Sequence, residues 1–170
     1  MQLRDENLVL THLNQYKALT LRQLSILVQK TDDEVYALIK NLKEKGWVVV
    51  RPKPDDRRER YVVLSRAGEE KVMREGLLKT VKPIAYYRGD KVERKLAANE
   101  VLAQLVKHGV PLETIWSREE ALKALNLRFE QAAISWMLDL GTRKYAIFIR
   151  FPGIKRKIEE TINILWPYKI

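Results

Sequence analysis

The sequence predicts an α+β fold in two domains, and three observations carry that prediction. Up to Gly46, apolar side chains recur at spacings of three and four behind two threonine capping boxes. Residues 47–64 switch to β-branched and aromatic runs on either side of a charged, proline-containing loop. Beyond residue 90, helical and strand patterns are mixed, with no repeat and no low-complexity tract.

Leu8, Leu10, Leu13 and Tyr16 predict a first helix with one apolar face. Thr20 opens a second helix with Gln23 three residues on, and Thr31 a third with Glu34 three residues on. In both pairs, hydroxyl and later side chain satisfy N–H groups that a helix start leaves without partners. Leu21, Leu24, Ile26, Leu27 and Val28 are the expected buried side of the second helix. Val35, Leu38, Ile39 and Leu42 are that of the third, which Gly46 ends. Trp47–Arg51 and Tyr61–Leu64 predict two strands, and Ser65 starts a helix through Met73. Three helices and then a hairpin with a basic loop describe a winged helix-turn-helix, its wing at Lys53–Arg60.

Pro83 and Gly89 break the stretch that follows. The expected division is therefore a winged helix-turn-helix domain at 1–79, a connector at 80–90 and a small mixed α/β domain at 91–170. In the last, Lys91–His108 predicts a long helix with Val92, Leu96, Val101, Leu105 and Val106 on its apolar side. Ser117 and Glu120 cap a short helix, Phe129–Leu140 and Arg143–Phe151 form a hairpin around Gly141, and Ile154–Leu165 is a terminal helix.

The net charge of +10 favours a polyanionic partner, nucleic acid before an anionic membrane. Residues 1–79 carry 16 Lys+Arg against 12 Asp+Glu and residues 80–170 carry 16 against 10, so both halves can add to a basic face. There is no cysteine, which excludes disulfides, a thiol nucleophile and a Cys-based zinc site. No apolar run approaches membrane-spanning or signal-peptide length, so the expectation is a soluble, cytoplasmic protein.

In a winged helix the third helix enters the major groove, and the wing reaches the backbone or a flanking minor groove. With the buried positions removed, Tyr36, Lys40 and Asn41 remain as contacts to bases, sugar or phosphate. Arg22, Arg51, Lys53, Arg57, Arg58 and Arg60 are the expected sources of salt-dependent affinity. Asp32, Asp33 and Glu34 argue against phosphate at the start of that helix, where acids instead complement its dipole.

Asp56-Arg57-Arg58, followed by Val62, Leu64, Ser65 and Gly68, resembles the wing signature of MarR-type regulators, Asp-x-Arg, strand, Leu-Thr/Ser-x-x-Gly. The likeness extends through Val35, Leu38, Ile39, Leu42 and Gly46 and covers residues 18–70. It implies that Arg58 contacts DNA and that Asp56 holds it in place. Regulators of that family usually begin with a longer N-terminal helical arm and end in helices that build the dimer and ligand pocket. This chain has little before its first helix and a mixed α/β pattern in its second half, so the drug-sensing pocket and dimer are not implied.

Lys95-Leu96-Ala97-Ala98-Asn99-Glu100-Val101, with a two-stranded stretch and terminal helix after it, is similar to the replication-relaxation family of plasmids and other mobile elements. That family pairs a winged helix with a restriction-endonuclease-like domain. An active nuclease of that type needs acids and a lysine on the hairpin to hold a divalent ion. Gln131-Ala132-Ala133-Ile134 and Ile147-Phe148-Ile149-Arg150 offer no carboxylate, so a degenerate, non-catalytic form is expected. His12 and His108 stand one in each half without a nucleophile, and the seven glycines are scattered singly, with no phosphate-cradling loop.

The expectation is a non-enzymatic, site-specific protein for double-stranded DNA, with no cofactor and no metal. As an accessory factor of a mobile element, it would meet a replication initiator or relaxase through its C-terminal domain. As a MarR-like transcriptional regulator, it would occupy an operator. A homodimer suits either role, and a metal-dependent nuclease is the remaining alternative.

Overall fold

The computed structural model describes residues 2–54, 56–77, 90–126 and 134–149. The chain forms two compact units, Met1–Ala103 and Gln104–Ile170. The boundary lies inside a helix, not in the expected connector at 80–90, so the segment 91–103 expected in the second domain belongs to the first unit.

The first unit opens with α1 (Gln2–Tyr16), which buries Val9, Leu10, Leu13 and Tyr16 and leaves Leu8 exposed. Lys17, at φ +70°, turns the chain into a short strand β1 (Ala18–Thr20) that the periodicity gave no sign of. Thr20 caps α2 (Leu21–Val28) and Thr31 caps α3 (Asp32–Glu44), both by full capping boxes as expected. α2 buries Gln23, Leu24, Ser25, Leu27 and Val28; Leu21 and Ile26, expected inside, are half-buried. α3 buries its expected face, Val35, Leu38, Ile39 and Leu42. It ends where Gly46, at φ +73°, donates to the Lys43 carbonyl and Trp47 donates to that of Leu42. This pair of bonds satisfies the last carbonyls and requires a left-handed residue between them.

β2 (Val48–Pro52) and β3 (Arg60–Leu64) are the hairpin strands, and β1 pairs with the far side of β3, giving the antiparallel order β1-β3-β2. The register sets Thr20 opposite Tyr61 and Pro52 opposite Arg60. Ser65 then caps α4 (Arg66–Arg74).

α5 (Asp90–Lys107) carries the boundary between the units. Its buried positions are Val92, Leu96, Asn99, Leu102 and Ala103, while Val101, Leu105 and Val106, expected on the apolar side, are half-buried. Val92 and Leu96 pack with Ala18, Tyr61 and Val63 of β1 and β3. Asn99, with no exposed surface, donates to the carbonyls of Tyr16 at 3.0 Å and Ala18 at 2.6 Å. Lys95–Val101 is therefore part of the helix-turn-helix frame.

In the second unit, β4 (Ile115–Ser117), β5 (Trp136–Asp139) and β6 (Lys144–Ile147) form an antiparallel sheet in the order β4-β5-β6. Ser117 and Glu120 cap α6 (Arg118–Ala124) as expected. Ala121, Leu122, Leu125, Ile134 and Met137 form the core, with Trp116, Ala146 and Phe148 packed against it. The hairpin around Gly141 is present as Trp136–Asp139 and Lys144–Ile147, with the expected parts at 129–130 and 150–151 outside the described residues, and β4 adds a third strand. The terminal helix at 154–165 and the segment 131–133 lie outside the described residues.

Candidate nucleic-acid interface

The site is built from α3, the start of α2 and the β2–β3 loop. On α3 the exposed side chains are Asp32, Asp33, Glu34, Tyr36, Ala37, Lys40, Lys43 and Glu44, and Asn41 is half-buried. Tyr36, 62% exposed, is an aromatic ring held out into solvent on the helix that enters the groove in such folds. Lys43, in the last turn, joins Lys40 as an exposed cation and is not among the contacts expected from the sequence.

Two of the three acids at the start of α3 have work within the protein. The Ser25 hydroxyl of α2 donates to the Asp32 carboxylate, tying the two helices of the motif together. The Glu34 carboxylate accepts from the Thr31 backbone N–H at 2.9 Å and its hydroxyl at 2.8 Å. The backbone bond first and the hydroxyl second hold the Glu34 carboxyl below its ordinary value. The acidic start is thus a cap and a clasp, consistent with the role expected for it.

The wing is closed by main-chain bonds. Lys53 N–H donates to the Glu59 carbonyl at 2.9 Å, and Glu59 N–H to the Asp56 carbonyl at 3.1 Å. The Asp56 carboxylate accepts from the Arg58 backbone N–H at 3.0 Å, an aspartate turn. Asp56 therefore fixes the loop through the Arg58 main chain and leaves the guanidinium outside the bond. Arg57, Arg58 and Arg60 are exposed and meet no carboxylate among the described residues; Arg51 is half-buried on β2.

Arg22 and Lys53 differ from these. Arg22 Nη1 lies 3.8 Å from Glu100 of α5, and Lys53 Nζ lies 3.0 Å from Glu59 across the base of the wing. The buried Gln23, noted in the sequence only as a cap, donates through Nε2 to the Leu96 carbonyl and to Glu100, both at 3.0 Å. Capping spacing signals a local role for Gln23; nothing in the linear sequence signals its bond 77 residues away.

Among the described residues there is no group of three or more His, Asp or Glu side chains that could hold a metal ion. His12 stacks on Tyr16, and His108 is exposed beside the Gln104 carbonyl. Asp139 and Lys144, paired across β5 and β6, bond at 3.0 Å. The ammonium, and then the Gly141 backbone N–H, hold the Asp139 carboxyl below its ordinary value.

A winged helix whose recognition helix and wing both expose cations defines a DNA-binding module. Residues 4–68 match the family model of the winged helix DNA-binding domain, and the first unit carries that domain. No curated protein matches the chain. Among solved structures, the transcriptional regulator Tm0710 from Thermotoga maritima is similar at 20% identity, covering 72% of this chain and 70% of its own, with a TM-score of 0.40. A mutant MepR from a multidrug resistant S. aureus clinical isolate is similar at 19% identity, covering 60% of this chain and 78% of its own, with a TM-score of 0.39. The heme sensor PefR from Streptococcus agalactiae, in complex with heme, is similar at 15% identity, covering 65% and 76%, with a TM-score of 0.40. Among the described residues no helix is long and apolar enough to cross a membrane.

Proposed function

We propose that the chain is a site-specific, non-enzymatic double-stranded DNA-binding protein that regulates transcription by occupying an operator. The observation that carries this reading is the exposed outer face of α3, with Tyr36 and Lys40, beside a wing whose Arg57, Arg58 and Arg60 meet no carboxylate among the described residues. The α3 side chains read base edges and the wing arginines hold phosphate. Arg51 and Asn41 lie at the half-buried margin of the contact, and residues 104–170 serve self-association or a partner protein.

A second setting is supported by the Lys95–Val101 segment: an accessory factor that marks the replication or transfer origin of a mobile element and meets an initiator or relaxase. Selection of bound duplexes from a random pool, followed by mapping of the selected site in the source genome, separates the two. A promoter site supports regulation and an origin supports the accessory role. Absence of any enriched sequence overturns site-specific binding. Incubation with supercoiled plasmid and Mg²⁺ or Mn²⁺ tests the non-enzymatic reading, because protein-dependent nicking overturns it.

A further inference from the structure

Two of the cations assigned to phosphate already face carboxylates, across a polar cleft of about 350 Å³ inside the first unit. Arg22 and Gln23 enter it from the first turn of α2, Lys53 and Glu59 from the base of the wing, and Glu93 and Glu100 from α5. Glu93 and Glu100 stand seven positions apart, about two helical turns, and so share one side of α5. Glu100 is held at the start of α2 by more than its ion pair, because Gln23 Nε2 donates to it while also donating to the Leu96 carbonyl. Its charge therefore stays beside Arg22 whether or not the guanidinium turns away. Glu59 sits 3.0 Å from Lys53.

We propose that Glu100 is an internal competitor for DNA phosphate, a carboxylate that the duplex backbone must displace from Arg22. The inference rests on the duplex-binding reading above. A carboxylate and a phosphate make the same demand on a guanidinium, and an approaching phosphate also meets the negative charge of Glu100. Lys53 and Glu59 repeat the arrangement at the wing, whereas Arg57, Arg58 and Arg60 bind with no partner to exchange among the described residues. α5 thus lowers the affinity of the α2–wing junction, so that the α3 contacts decide which duplexes are held. Arg22 is 55% exposed and Glu100 39%, so solvent weakens the pair and limits its effect on Kd to about threefold to fivefold.

The test is an anisotropy titration of the full chain against a labelled random-sequence duplex across about 50 to 200 mM salt. Glu100→Gln keeps an acceptor for Gln23 and removes the charge. We expect Kd to fall about threefold to fivefold at low salt, and the log–log salt slope to steepen by about one. In a chain that also carries Arg22→Gln, that gain disappears. Unchanged or weaker binding at an unchanged melting temperature overturns the proposal, as does a gain that persists without Arg22. If Glu100→Gln does not fold, Glu100→Asp, which withdraws the carboxylate by one methylene, is expected to give a smaller gain, and no gain overturns it. A wild-type chain that binds no duplex at low salt removes the duplex-binding reading itself, and this inference with it. Intact binding with no response to Glu100 removes this inference alone.

Discussion

At Gly68 the first turn of α4 passes so close to the start of β2 that an added Cβ would stand 1.9 Å from the Trp47 carbonyl oxygen. Ser65 N–H donates to that same carbonyl, the Ser65 hydroxyl donates to the Gly46 carbonyl, and Gly68 N–H donates to the Ser65 hydroxyl. The Leu-Ser-x-x-Gly pattern that marks the wing in sequence is thus a seam joining the end of α3 to the hairpin. Gly68→Ala must push backbone against backbone, and we expect it to cost about 1–3 kcal/mol or more, read as a drop in the denaturation midpoint. Arg58→Ala should leave that midpoint unchanged and reduce the salt slope of duplex binding by about one, since the arginine touches solvent and only its backbone is bonded to Asp56. An unchanged slope would remove Arg58 from the interface. Asn99→Leu leaves the carbonyls of Tyr16 and Ala18 without their amide donor, at about 1–3 kcal/mol for each carbonyl left unsatisfied, and should lower the midpoint well beyond the effect of Arg58→Ala.

The capping of α3 makes the element sensitive to pH in a definite direction. Because the folded Glu34 carboxyl titrates below its ordinary 4.5, its contribution to the helix is present above that value and is lost as pH falls through the lowered one. Carboxyl chemical shifts followed by NMR should show the depressed titration, and Thr31→Ala should return it only part of the way toward 4.5, because the hydroxyl bond is lost while the larger backbone N–H bond remains. A shift that Thr31→Ala leaves wholly unchanged would remove the hydroxyl from the cap. The two helices of the motif were legible because a capping box and a 3–4 apolar period are local signals, and α2 and α3 present both. β1 was not legible, since three residues carry no period and its place is set by pairing with β3 more than 40 positions away. The apolar side of α5 was misjudged for a related reason. Asn99 is polar yet fully buried, because the carbonyls it must reach lie at the end of α1 and on β1, beyond what helical periodicity describes.

At the scale of the molecule, the partition at Ala103 changes what counts as the DNA-binding unit. Pro83 and Gly89 suggested a break between domains, yet Val92 and Leu96 complete the core over β1 and β3. A fragment of residues 1–103 should unfold cooperatively and bind duplex. A fragment of residues 1–79 should lose several kcal/mol, at about 1.5–3 kcal/mol for each large apolar side chain withdrawn from the core. Equal midpoints for the two would contradict the partition. The wing residues were legible as a basic loop with a family pattern, whereas the pairing of Arg22 and Lys53 with Glu100 and Glu59 was not. A charge count registers their signs and carries no information about their neighbours.

Gln23 gives this arrangement a reporter. Its Oε1 accepts from Thr20 N–H at the start of α2, while both hydrogens of its Nε2 are committed to α5. With α5 seated against it, Gln23 and Thr20, whose amide it caps, are both buried. Hydrogen–deuterium exchange at that single amide should therefore follow the opening of a helix more than seventy residues downstream, speeding up whenever α5 lifts and slowing when it settles.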